Sequence, residues 1–272
     1  MPGSWLNRCT LLTAAAALAV VATGACVTSE QGAGSWLGVH LTSTIILAAL
    51  WIGVAVLARK DRPALRLAFA ALGLLAIEGG LGERANAPWI AVAHATVAPV
   101  VLTLAACGAL CTSAGWKAGP VHVFDHGSPS LRSLAVLTPV LVMVQIVLGA
   151  CFRHKTMGLT WHIIGAMVVA LVILIFGMFV NQQFPAHRAL RPYANAMLAV
   201  AMTQVLLGVA AITTLMLAPE NTVTSGIVAS TVAHVTVGAL TLATAMTLAL
   251  QIHRNVQKAA EEPEEEGPTV AL

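Results

Sequence analysis

The sequence predicts an all-α polytopic membrane protein, with eight transmembrane helices arranged as two repeated four-helix bundles. Three observations carry this. Of 272 residues, 58% are hydrophobic and only 9% charged, against about 25% charged in an ordinary soluble domain. The apolar residues fall into eight continuous runs, at about 10–29, 36–58, 64–81, 88–113, 133–151, 159–181, 193–217 and 226–252, each near the roughly 20 residues that span a bilayer core. The runs are rich in Ala, Leu and Val and lack the alternation of a transmembrane β-barrel, so helices are the expected form. Finally, the segment VAHATV (Val92–Val97) returns as VAHVTV (Val232–Val237).

The first run resembles a signal peptide followed by TGAC (Thr23–Cys26). However, GAC recurs at Gly149–Cys151 deep in the chain, and an uncleaved first helix is expected. Lys and Arg set the orientation. Eleven lie at the N-terminus, in the loops after the second, fourth and sixth helices and in the tail: Arg8, Arg59, Lys60, Arg62, Arg66, Lys117, Arg132, Arg188, Arg191, Arg254 and Lys258. Three lie on the other side, Arg84, Arg153 and Lys155. The positive-inside rule then puts both termini in the cytoplasm of a cell (inner) membrane. The net charge of +3 reflects this bias and implies no nucleic-acid partner. The five cysteines read as small buried apolar residues.

The repeat extends beyond VAH. Gly24-Ala25-Cys26 ends the first helix and Gly149-Ala150-Cys151 the fifth. Glu78 precedes Gly82 by four residues, Gln145 precedes Gly149 by four, and Gln204 precedes Gly208 by four. A histidine follows near the start of the next helix in each case: His40, His94, His162 and His234. The expected organisation is an N-terminal half (1–113), a Gly-, Pro- and Ser-containing cytoplasmic linker (114–132), a C-terminal half (133–253) and an acidic, disordered tail (254–272).

The four histidines share one depth, towards the outer face. A lone membrane histidine often bonds a neighbouring helix, and Thr42, Ser43, Thr96 and Thr236 are the nearby hydroxyl partners. Four at matched depth point instead to function. A proton relay would want carboxylates at several depths, and only Glu78 and Glu83 are near. Zinc or copper would want Cys, carboxylate or Met grouped with the histidines. Haem iron takes axial imidazoles between helices that bury the porphyrin, which suits the pairs His40 with His94 and His162 with His234. The small residues Gly38, Ala93, Ala95, Gly165, Ala233 and Gly238 beside them are expected to admit a flat ring. Glu78 reads as an interhelical carboxyl or a proton carrier. Arg153, with His154 and Lys155, reads as a propionate-binding patch or a solvated loop. Trp36, Trp89 and Trp161 read as interfacial anchors. A repeat-built transporter would need discontinuous helices at matching places, and Pro99 and Pro139 do not match.

With GACVTSEQGAG after the first helix, QIVLGACFRH at the end of the fifth, QVLLGVAAITTL in the seventh and VAHVTVGALTLATA in the eighth, the chain resembles the haem A synthase family of cytochrome oxidase assembly factors. The resemblance runs from about Leu11 to Gln251. It implies a haem b in the C-terminal half with His162 and His234 as iron ligands. It also implies a haem O substrate site in the N-terminal half with His40 and His94, where the C8 methyl is oxidised to a formyl group. That would make the protein an oxidoreductase of haem A biosynthesis, working beside haem O synthase, the terminal oxidase or other respiratory-complex subunits. Glu78 is then the candidate catalytic residue and Arg153 the candidate propionate partner. The chain departs from the family in having Leu37 and Leu41 where a glutamate and an arginine flank the first histidine, and in lacking a cysteine pair in the first outer loop. The alternative is a non-catalytic haem b-binding subunit for electron transfer or haem carriage in a respiratory complex.

Overall fold

The computed structural model describes residues 2–29, 34–219 and 222–258. They form an all-α membrane protein in which eight helices are long and apolar enough to cross a bilayer. In chain order the first four are α1 (Pro2–Ser29), α2 (Gly34–Leu57), α3 (Arg62–Gly82) and α4 (Pro88–Thr112). A four-residue helix, α5 (Ala114–Lys117), and a short strand, β1 (Val123–Asp125), follow. The second four are α6 (Leu131–Arg153), α7 (Leu159–Gln183), α8 (Leu190–Leu217) and α9 (Ser225–Asn255), and β2 (Val256–Lys258) ends the described chain. The eight runs of the sequence correspond to the eight spans, and most helices extend a few residues beyond them into polar caps.

Those caps follow ordinary chemistry. Asp61 accepts the amide of Ala64 at 3.2 Å ahead of α3, with Pro63 in the first turn. Ser130 accepts the amide of Ser133 at 3.2 Å ahead of α6, and Thr224 that of Ile227 at 3.3 Å ahead of α9. Pro99 lies inside α4 and Pro139 inside α6, and both helices continue through them.

Each half closes as an up-down-up-down ring: α1 packs on α2 and α4, and α3 on α2 and α4, while α6, α7, α8 and α9 repeat the pattern. The halves meet through α4 on α9, α1 on α9 and α4 on α6. With α1 equivalent to α6 and α4 to α9, these contacts are the ones a pseudo-two-fold axis along the helices generates. In keeping with that, α9 and α4 are the most enclosed spans, 61% and 50% buried, whereas α8 and α2 on the rim are 11% and 17% buried.

One core, around Leu47, Trp51, Ala68, Leu102 and Ala105, fills the first ring. A second, around Leu131, Phe176, Leu190, Met197, Leu248 and Ile252, fills the other. Ala239 and Ala243 of α9 belong to the first core and Leu242 and Ala245 to the second, so one helix seals both. The outside is correspondingly greasy: Ile45, Phe69, Met167, Val209, Met216 and Leu217 are all well exposed. A surface of that kind is stable only against lipid. Trp89 and Trp161 stand exposed at the starts of α4 and α7, as interfacial anchors do.

The linker between the halves has structure of its own, and residues 114–132 are strapped onto the end of α9. β1 pairs in parallel with β2, Val123 opposite Val256. Asn255 accepts the amide of Val121 at 2.8 Å, and Arg132 donates to the carbonyl of Val256 at 2.9 Å. The Arg254 guanidinium lies 3.9 Å over the Trp116 ring, and His187 bonds the Val121 carbonyl at 3.0 Å. Buried Asp125 ties the strap to α6 by accepting the amides of Leu131 at 2.6 Å and Gly127 at 2.9 Å. The strap's backbone polar groups thereby find partners in the chain just past α9. The predicted tail therefore begins ordered, through Lys258; the expectation of disorder for the rest lies outside the described residues.

Candidate functional site

The histidines form two pairs. His40 on α2 faces His94 on α4 with ring centroids 6.4 Å apart and planes at 89°. His162 on α7 faces His234 on α9 at 6.2 Å and 88°. The helices of each pair are diagonal members of their ring, so the imidazoles meet across the inside of each bundle. The pairing expected from the sequence is the pairing observed, and the two sites match in separation and angle.

What seats each ring is a glycine on the helix before it. A Cβ built on Gly24 would come within 3.0 Å of His40 Cε1; the corresponding values are 3.4 Å for Gly82 and His94, 2.9 Å for Gly149 and His162, and 2.9 Å for Gly208 and His234. Removing the side chain lets the ring lie against the helix backbone and reach a carbonyl one turn earlier. His40 Nδ1 is 3.2 Å from the Val20 carbonyl and His234 Nδ1 is 3.2 Å from that of Gln204. Val20, Glu78, Gln145 and Gln204 each stand four residues before the glycine. A helical carbonyl there already accepts the glycine amide, and at Val20 and Gln204 its second lone pair takes the ring N–H.

Side chains complete the arrangement. Thr23 Oγ1 is 3.2 Å from His40 Nδ1. Glu78, only 6% exposed, sets Oε2 against His94 Nδ1, and its Oε1 is buried without a hydrogen-bond partner. The Gln145 amide nitrogen lies 2.9 Å from His162 Nδ1 and donates to the His162 carbonyl at 2.8 Å. The Gln204 amide nitrogen stands 3.4 Å from His234 Nε2. For His40, His94 and His234 the acceptors at Nδ1 hold the proton there, which leaves Nε2 with its lone pair. That is the tautomer a metal-bound imidazole uses, with the far nitrogen held by a carbonyl or carboxylate.

The residues present fit an iron porphyrin. With a metal–imidazole bond of about 2.0–2.1 Å and the ring's own radius added, two axial imidazoles on one iron put their centroids about 6–6.5 Å apart. Among the described residues no group of three His, Cys, Asp or Glu side chains converges. Each site thus offers two protein donors, the number that a porphyrin iron, with four nitrogens of its own, accepts.

Several expectations are corrected. Thr42, Ser43, Thr96 and Thr236 are not histidine partners; their hydroxyls donate to carbonyls of their own helices, Gly38, Val39, Val92 and Val232. The glycines beside the histidines do not seat the imidazoles themselves. Gly38 faces open space, while Gly165 and Gly238 make room for Gln145 and Gln204. The operative glycines lie on the preceding helices, because a ring packs against its neighbour's backbone and not its own. Their signal in the sequence was the fourfold recurrence of glycine ahead of histidine.

Arg153 does not extend into solvent. Its Nη2 donates to the Ala25 carbonyl at 2.9 Å and to Ser29 at 2.8 Å, and also to Thr28 Oγ1, closing the C-terminal end of α1. Its Nη1 is buried without a hydrogen-bond partner. Arg153 is within charge-interaction range of His234, and His154 of His94, so this corner overlooks both pairs. Burial, then Arg153 and His94, push His154 below its ordinary value. Arg84 is exposed and donates to the Gly80 carbonyl at 3.0 Å.

No family model matches the chain, and a search of curated proteins finds no match.

Proposed function

We propose that the protein is a membrane haem protein that acts as the haem A synthase family does, oxidising the C8 methyl of haem O to a formyl group for terminal oxidase assembly. The observation that carries the reading is the pair of equivalent imidazole couples, each spaced for one iron and each with Nδ1 engaged. Haem b belongs in the C-terminal half between His162 and His234, and haem O in the N-terminal half between His40 and His94. When bound, the iron supplies the redox chemistry that activates oxygen or carries electrons.

The chain's own residues do the rest. The four glycines and the carbonyls beneath them fix ring positions. Glu78 acts through His94 and does not face the space between the rings. Arg153 has Nη1 for a propionate and Nη2 for α1. We further infer an inner-membrane location with both termini cytoplasmic, so that the histidines, in the opening turns of α2, α4, α7 and α9, lie towards the outer face. The basic residues clustered at the strap support this orientation.

One observation favours a second reading, a non-catalytic haem b subunit for electron transfer or haem carriage. Leu37 and Leu41, at the positions of the family's glutamate and arginine, are 46% and 53% exposed on the outside of α2. They supply neither a proton nor a charge near His40.

The experiment is extraction of haem from protein purified after co-expression with a haem O synthase, with chromatography and mass spectrometry. Haem A or its hydroxylated precursor supports the enzyme. Haem B alone, with haem O available in the same membranes, overturns it in favour of the subunit.

A further inference from the structure

We infer that Glu78 is a positioning residue that makes iron held by His40 and His94 harder to reduce than iron held by His162 and His234. The inference rests on the haem-binding reading above.

The two halves are alike in helix packing, ring separation, ring angle and seating glycines. They differ at the positions four before those glycines. In the C-terminal half both are amides, Gln145 and Gln204; in the N-terminal half they are Val20 and Glu78. Among the described residues only one of the four imidazoles, His94, therefore meets a carboxyl group. Glu78 is buried, with Oε2 on His94 Nδ1 and Oε1 without a hydrogen-bond partner, so among the described residues no other hydrogen bond draws on the group. The nearest cation along α3, Arg84, is exposed and turned to Gly80 and Glu83.

A carboxylate at Nδ1 raises the basicity of the ring, and Nε2 becomes a stronger donor to iron. A stronger donor stabilises ferric iron more than ferrous and so lowers the reduction potential. An amide or a carbonyl orients the ring with far less of this effect. The step affected is a one-electron exchange: ferric iron takes one electron from an external donor and becomes ferrous, with no bond made or broken at the protein.

The test uses the full-length chain carrying His162→Ala, which retains only the N-terminal pair, loaded with haem b and titrated with dithionite under argon while the visible spectrum is followed. Glu78→Gln should reduce the preference for ferric iron about 10-fold, which is about 59 mV upward for one electron. Equal haem content with an unmoved midpoint overturns the inference. Should Glu78→Gln fail to hold haem, the reciprocal variant decides. Gln145→Glu in a His40→Ala background puts a carboxylate on His162 and should move the C-terminal midpoint down; no movement overturns the inference. Failure of the unsubstituted protein to take up haem b at either site would instead overturn the haem-binding reading, and the inference with it.

Discussion

Gly149 lies directly beneath His162, so close that a Cβ on the glycine would sit 2.9 Å from the ring's Cε1. The contact joins α6 to α7 at a place where only hydrogen leaves room. The same relationship holds at Gly208, Gly24 and Gly82, with clearances of 2.9, 3.0 and 3.4 Å to their histidines.

Replacing these glycines by alanine should therefore act in order of clearance. Gly149→Ala and Gly208→Ala should push the imidazole off its seat and cost about 1–3 kcal/mol of overpacking, with loss of haem from the C-terminal half on the proposed haem-binding function. Gly24→Ala should be nearly as disruptive at the other site, and Gly82→Ala the mildest of the four. Absorbance per protein after haem loading reads this series. An equal effect at all four positions would contradict the geometry.

Alanine in place of the histidines should separate the halves. On the proposed haem-binding function, His162→Ala or His234→Ala should remove the more firmly held haem, while His40→Ala or His94→Ala should leave it largely in place. Pyridine haemochrome content of the four purified variants is the measurement. Four identical losses would mean one shared site in place of two.

Arg153 joins the end of α6 to the end of α1 through three acceptors. Hydrogen bonds from a charged group are worth about 1.5–3 kcal/mol where the group is mostly enclosed. Arg153→Ala should lower stability by about 2 kcal/mol on that scale, and Arg153→Lys should recover only part, since one ammonium cannot span a carbonyl and two hydroxyls. Thermal unfolding in detergent reads the change.

Outside the membrane-spanning segments, His154 should contribute a pH dependence of stability. Burial and its neighbour Arg153 hold it below the ordinary histidine value, which is about 6.5. As pH falls through that value the unfolded chain takes up a proton before the folded one does, so stability declines. The decline continues until the pH reaches the depressed folded value and then levels off; above about 6.5 the group contributes no slope. His154→Gln should flatten the stability profile on the acid side and leave neutral pH unchanged. A profile of unaltered slope would exclude His154 as its source.

The sequence by itself determined the fold class, because eight apolar runs of bilayer length in a chain this poor in charge can satisfy their backbone only as helices. It also showed the duplication and which histidines stand at one depth, since a repeat keeps its landmarks at matching places. Glu78, Gln145 and Gln204 were visible as residues four before a glycine, but the purpose of that spacing was not. Only the tertiary structure decided that each glycine faces the histidine of the next helix, that the Val20 and Gln204 carbonyls one turn back meet the rings of His40 and His234, and that Arg153 reaches over to α1. It also showed the strap of β1 on β2, whose partners lie more than a hundred residues apart in the chain. The reason is common to all of these. Hydropathy and periodicity record how each residue meets its own helix and the lipid, whereas a seat for an imidazole is made by two helices at once. Its geometry exists only when they pack.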